Sequence, residues 1–317
     1  MPIIRSANTG LVRHMLLSAA VGAMLVAGLA ACSSTSAGSA GAAASATSQS
    51  SSNSNVHPQS GSGAVIYIHH TTSGNTSGNQ TTLNNSVTND HINVVIEVTP
   101  NRSPDGGSAV VDAHPIGVRF EPAAKWHIFN EDGAAMPIGA AFNVYAIPLG
   151  GFSGVFIHKA TAANISGYYT VMNAPSVNGQ PNALMLVTSN YNPSGGTGVT
   201  DSHPLGVWYH SGSWTIFHTD HAPITKGAAY NVIVITGVTQ TFIQQATSSN
   251  ISGKLTRMSQ PYLDGNLAAI VFVTQDWTAG GVVDNDSAGV LYQGGKWAIF
   301  NEHHPMPVNA DFMVLSV

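Results

Sequence analysis

The segment YIHHTTSGNTSG at 67–78 aligns without gaps on FIHKATAANISG at 156–167 and FIQQATSSNISG at 242–253. The correspondence continues along the chain. VVIEVTPN (94–101) returns as LMLVTSN (184–190) and AIVFVTQ (269–275), and HPIGVRF (114–120) as HPLGVWY (203–209) and SAGVLY (287–292). KWHIFNED (125–132) returns as SWTIFHTD (213–220) and KWAIFNEH (296–303), and AAFNVYAI (140–147) as AAYNVIVI (228–235) and ADFMVLSV (310–317). A chain written this way must use one supersecondary unit three times.

Within each unit, short runs rich in Val, Ile, Tyr, Phe and Thr are separated by Gly, Pro, Asn and Ser clusters, and no stretch sustains a helical period. The unit is therefore β throughout, with roughly six strands. GAAMPIGAAF (133–142) is the one place where a short helical turn fits. A repeat of roughly 85 residues suits a small sandwich or barrel and is long for one propeller blade. The expected fold is all-β: three tandem antiparallel β-sandwich or barrel units at 64–147, 154–236 and 241–317, following a disordered linker. A six-bladed propeller with two blades per repeat is the alternative.

Before the repeats, the chain reads as an address and a tether. MPIIRSANTGLVRH carries Arg5 and Arg13 and no acid, and the apolar run MLLSAAVGAMLVAGLAA ends at the sole cysteine, Cys32. This order matches a secretory signal over 1–31. Leu29-Ala30-Ala31-Cys32 resembles the lipobox of bacterial lipoproteins, which implies cleavage before Cys32 and acylation of its thiol. Ser33 after the cysteine is similar to outer-membrane sorting where the envelope has two membranes; otherwise the anchor would sit on the outer face of the cytoplasmic membrane. Residues 32–63, dominated by Ser, Ala, Gly, Asn and Thr, have too little apolar surface to order themselves and read as a flexible tether.

Loss of the signal leaves 8 basic against 15 acidic residues, a net of −7. Clustered Lys and Arg are what nucleic acid and anionic lipid demand, so neither is an expected partner. With Cys32 acylated, no thiol remains for a disulfide, a zinc–thiolate site or a nucleophile. No cofactor is implied.

The block GVWY…WxIFN…MPxGAAFNV resembles a repeat of secreted bacterial proteins that forms a domain family of unknown function. The resemblance covers all three units, and the third departs with Ser287 for the HP proline and Met313 for the closing Asn. It implies an architecture and no catalytic residue.

Strand alternation separates scaffold from candidate site. Trp126, Trp214 and Trp297 recur with Ile128, Ile216 and Ile299, and read as core. His127, Glu131 and Asp132 vary between copies and read as surface. Arg119, Trp208 and Leu291 occupy one unshared position on the outer face of a strand, and Arg102, Tyr191 and Trp277 one unshared position in a loop. Trp208, Tyr191, Trp277 and His210 are accordingly the candidate ligand-binding residues, suited to stacking on sugar faces. No metal is expected; His218, Asp220 and His221 are the weak candidates for one, since imidazole and carboxylate together suit Zn or Ni. Asp112/His114 and Asp201/His203, which become Asp284 and Asp286, read as turn caps. Recognised hydrolase, phosphate-loop and dinucleotide motifs are absent from the sequence. The expectation is a lipid-anchored envelope or surface protein with a non-catalytic binding role, its partner a glycan or an extracellular protein, with a structural envelope role or a secreted hydrolase as alternatives.

Overall fold

The computed structural model describes residues 63–121, 124–236, 240–277 and 281–317, so the leader, Cys32 and the tether lie outside the described residues. Each repeat forms seven strands. The first holds β1 (Val65–His70), β2 (Thr76–Ser77), β3 (Gln80–Thr82), β4 (Val94–Pro100), β5 (Ile116–Glu121), β6 (Lys125–Asn130) and β7 (Ala141–Pro148). The second holds β8 (Val155–Lys159), β9 (Ile165–Ser166), β10 (Tyr169–Val171), β11 (Leu184–Asn190), β12 (Leu205–His210), β13 (Ser213–His218) and β14 (Ala229–Ile235). The third holds β15 (Thr241–Gln245), β16 (Ile251–Ser252), β17 (Leu255–Arg257), β18 (Val271–Asp276), β19 (Ala288–Gln293), β20 (Lys296–Asn301) and β21 (Asp311–Ser316). The segment 133–142 is turn and strand; the short 3-10 turn lies at Pro104–Gly106 instead.

Within a unit all pairing is antiparallel, in two sheets. One has the order β1-β7-β4, the other β2-β3-β6-β5, and the other two units repeat both orders. This is not the consecutive four-strand meander of a propeller blade. The core of each unit lies between its two sheets. Trp126, Trp214 and Trp297 anchor the three cores, fully buried, and each indole N–H donates to a backbone carbonyl, of His91 at 2.8 Å, Gln180 at 2.7 Å and Asn266 at 2.8 Å. A buried Trp requires such an acceptor, which makes the position hard to vary. The repeated asparagine of the opening segment is equally structural: Asn75 Oδ1 accepts from Thr72 N at 2.7 Å, and Asn164 and Asn250 hold their turns the same way.

The units are joined by more than their linkers. β5 of the first pairs in parallel with β11 of the second, and β12 of the second with β18 of the third. Asn101, just beyond β4, forms a parallel bridge with Val290 in β19. Each seam adds the same backbone bond: Tyr191 N donates to Val118 O at 2.9 Å, Trp277 N to Val207 O at 3.0 Å, and Arg102 N to Val290 O at 2.9 Å. The third link returns to the first unit, so the three units close a ring about a pseudo-threefold axis.

Equivalent residues also interlock at the axis, where β4, β11 and β18 meet. Val98 N donates to Thr188 Oγ1 (3.0 Å), Val187 N to Thr274 Oγ1 (3.1 Å) and Val273 N to Thr99 Oγ1 (3.3 Å). Asn143 Nδ2 donates to Val271 O at 2.7 Å and Asn231 Nδ2 to Ile96 O at 2.8 Å, while Met313, which replaces the asparagine in the third unit, accepts from Met185 N at 3.2 Å. Ile66, Leu186, Ile270, Phe272 and Leu315, drawn from all three units, form an apolar cluster of their own.

Candidate functional site

The seams bring together the two sets of positions in which the copies disagree. At each seam a residue from the outer face of a strand in one unit approaches the residue that follows the pairing strand of the next. Where the third unit meets the first, the close backbone approach needs a glycine: a Cβ on Gly289 would lie 2.8 Å from Pro100 O. Gly117, Gly206 and Gly289 also leave room for side chains of their own hairpins, Glu131, Phe217 and Phe300.

At the seam between the second and third units the outcome is an aromatic surface. Trp208 alternates with the inward-facing Val207 and Tyr209 on β12, so its indole stands outside the core. The Trp208 and Trp277 rings lie 4.6 Å apart, and His210 stacks on Trp208 at 3.9 Å. Tyr169 meets Trp208 edge-on at 5.8 Å and His210 at 5.7 Å. His221 adds an exposed edge, 4.7 Å from Tyr168 and 5.9 Å from Trp277. Trp208, Trp277 and His210 are half-buried, each held by its neighbours while part of the ring faces solvent. Tyr191 is elsewhere. It occupies the seam between the first and second units, edge-on to Phe129 at 6.0 Å.

Of the weak metal candidates, the structure groups His218 and Asp220 with His203 and leaves His221 outside the group. His218 is fully buried and both ring nitrogens are engaged, Nδ1 with Ala222 O at 2.9 Å and Nε2 with Asp201 Oδ2 at 2.8 Å. Asp220 pairs with His203 at 2.6 Å rather than with His221. His203, His218 and Asp220 offer ligand atoms within 4.8 Å of one another, but an ion there would have to displace each of these bonds. Burial acts to raise the Asp220 carboxyl, and the Ala222 N–H and His203 outweigh it, leaving it below the usual carboxylate range.

Two further expectations are corrected. Asp112, Asp201 and Asp284 are not turn caps; they are buried and accept from the residue that follows the WxIF motif, Asn130 at 3.1 Å, His218 at 2.8 Å and Asn301 at 2.8 Å. His127 and Glu131, read as surface, are buried as well. Ser189 Oγ donates to Glu131 at 2.8 Å across the first seam, and burial pushes the Glu131 carboxyl up to about 8.

The ring itself creates a site. A cavity of ≈ 90 Å³ is lined by equivalent residues of all three units: Val98, Val187 and Val273, with His114, His203 and Asp286 among the others. Each of those last three is held by a partner from its own β-hairpin. His114 Nδ1 lies 2.7 Å from Asp132 and His203 Nδ1 2.6 Å from Asp220. In the third unit the pair is exchanged, with Asp286 3.0 Å from His303 Nδ1. The exchange is visible in the aligned sequence as His–Asp, His–Asp, Asp–His, a signal that inspection of single motifs misses.

One family model matches three times, over residues 43–146, 120–234 and 214–316, and its description is a domain of unknown function, DUF7452. The chain belongs to the DUF7452 family. Its matched windows overlap at 120–146 and 214–234, so a DUF7452 window takes in the last strands of the preceding unit. In this chain, accordingly, DUF7452 copies are coupled pieces of one ring. No curated protein and no solved structure matches the chain. What this DUF7452 protein binds must therefore be argued from its own residues.

Proposed function

We propose that the protein is exported, anchored through an acyl group on Cys32, and displayed outside the cytoplasmic membrane, where its ring binds glycans without transforming them. The observation that carries the binding half is the aromatic surface at the second seam. Trp208, Trp277, His210 and Tyr169 hold one another at ring distances of 3.9 to 5.8 Å, so the platform exists before any ligand arrives. Half-buried aromatic rings offer an apolar face to the C–H face of a pyranose, while His210 and His221 supply polar edges. The lipobox-like sequence and the Ser/Ala/Gly-rich tether support display at a surface.

Carboxylates paired across seams favour structure over hydrolysis. Glu131 and Asp201 are neighbours, but both are buried; Ser189 holds Glu131 Oε1, and His218 and the hydroxyl of Tyr230 both engage Asp201 Oδ2. A glycosidase pair instead faces its sugar.

A glycan array tests the proposal. The protein should retain a defined set of glycans, and Trp208→Ala with Trp277→Ala should weaken that retention at least about tenfold, a loss typical of removing aromatic anchors. Retention unchanged in the double variant would contradict the reading.

A further inference from the structure

We propose that the seam between the first and second units is a second, separate ligand site, shaped for a neutral pyranose. The inference rests on the reading of the protein as a glycan binder, and adds a location and a ligand class. The two seams occupy equivalent places in the ring but differ in shape. At the second, Trp208 and Trp277 fill the seam; at the first, Arg119 and Tyr191 stand at the same positions beside a cavity of ≈ 440 Å³, lined also by Ile92, Phe120, Glu121 and Asn192. That volume falls in the range of small-molecule sites, about 300–1,000 Å³.

One wall is a fixed polar array. Arg119 Nε donates to Gln80 Oε1 at 2.6 Å and lies 3.1 Å from Glu121 Oε1, with its guanidinium over the Phe129 ring at 5.0 Å. Gln80 Nε2 donates to Glu121 Oε2 at 3.4 Å, and His127 Nε2 is 3.6 Å from the same oxygen. The opposite wall is the loop after β11. Asn192 pins it to β5 by accepting from Phe120 N at 2.8 Å and donating to Phe120 O at 2.7 Å, and closes the loop on Gly196 O at 3.0 Å. Gly195 and Gly196 both adopt left-handed backbone, φ +73° and +74°, which lets the loop turn back against Ile92.

The chemistry of these walls selects the ligand. Arg119 and Glu121 cancel one another, so an anionic ligand would have to displace Glu121 and a cationic one Arg119. A neutral sugar breaks neither pair. Its hydroxyls donate and accept, matching a wall that holds guanidinium donors and carboxylate acceptors. Its apolar face meets Tyr191, Phe120 and Ile92. Because both walls are already hydrogen-bonded, little ordering is left to the moment of binding.

Calorimetric titration with cellohexaose, chitohexaose and a mannan oligosaccharide, with polygalacturonate as the charged comparison, tests the site. The expected result is two classes of site for a neutral oligosaccharide. Arg119→Met should abolish one class or weaken it at least about tenfold, as loss of hydrogen bonds to a charged group does. Tyr191→Ala should act on the same class, and Trp208→Ala on the other, with thermal melts confirming that each variant is folded. A single class, lost in Trp208→Ala and untouched by Arg119→Met and Tyr191→Ala, would overturn the second site and leave the aromatic one standing. Preference of the Arg119-dependent class for polygalacturonate would overturn the ligand class. Absence of binding to any of these sugars in the parent protein, together with an empty glycan array, would overturn both readings.

Discussion

Glu97 stands where the second and third units place Leu186 and Phe272, facing the apolar cluster on the axis. It is 2% exposed, and its Oε2 accepts from Thr188 Oγ1 at 2.7 Å, while Oε1 has no hydrogen-bond partner among the described residues. Burial raises its carboxyl well above the usual range, against the smaller opposing effect of Thr188. A carboxyl whose folded pKa is raised contributes most below its unfolded value and loses that contribution as pH rises toward the folded one. Burial moves Glu131 and Glu302 the same way, to about 8, and Asp284 to about 7. His69 and His158 are lowered by burial to about 4, so their contribution is lost only as pH falls below 6.5. Between pH 6.5 and 8 these raised carboxyls lose their contribution while His69 and His158 keep theirs, and the thermal midpoint should fall across that window. Glu97→Leu should be about 1–3 kcal/mol more stable than the parent at pH 8 and show a shallower decline, since a buried ionisable group gives way to the residue its sibling units tolerate. Melts of the two proteins from pH 6 to pH 8 check this; parallel curves would place Glu97 in a more polar setting than the axis provides.

At the scale of the β-hairpin, the exchanged His–Asp pair makes a compensation that can be measured. Asp286 accepts from His303 N at 2.8 Å and from its ring at 3.0 Å, while His114 and His203 reach the equivalent Asp132 and Asp220. Asp286→His and His303→Asp should each destabilise the protein, the first by about 1–3 kcal/mol because the buried Asp286 carboxylate accepts from the backbone N–H groups of both His303 and His304. The double exchange restores the arrangement of the other two units and should recover at least about 1 kcal/mol, seen as coupling in a denaturation cycle. Strict additivity would mean that the pair does no more than share a neighbourhood. The hairpin also marks how far the sequence could be read. Trp126, Ile128 and the all-β unit around them follow from apolar residues that recur with the right period, while the two-residue strand β2, which makes the unit seven strands rather than six, is too short to carry a pattern. His127 and Glu131 do not follow, because alternation identifies the second face of β6 without saying that Thr82 and Glu121 of the same unit close over His127 or that Ser189 of the next unit meets Glu131. Phe129 lies on that face too, beneath Arg119 and Tyr191. Trp208 and Trp277 were recognisable as unshared positions; that they meet while Tyr191 sits one seam away is set by parallel pairings between units, which carry no local signature.

For the whole molecule, the seams decide behaviour. Six equivalent backbone and threonine contacts tie each unit to both neighbours, and the described residues between 63 and 317 form one compact body. The binding surfaces proposed here exist only between units, so a single unit would present half of each. Differential scanning calorimetry of the folded region tests this account most directly. A closed ring predicts one transition with equal calorimetric and van't Hoff enthalpies. It also predicts that Gly206→Val, which drives a side chain into Phe217 of the same hairpin in the second unit, lowers that whole transition as a unit. Separate transitions for the three repeats, or a Gly206→Val variant that melts the second unit early and leaves the others at the parental temperature, would contradict the ring.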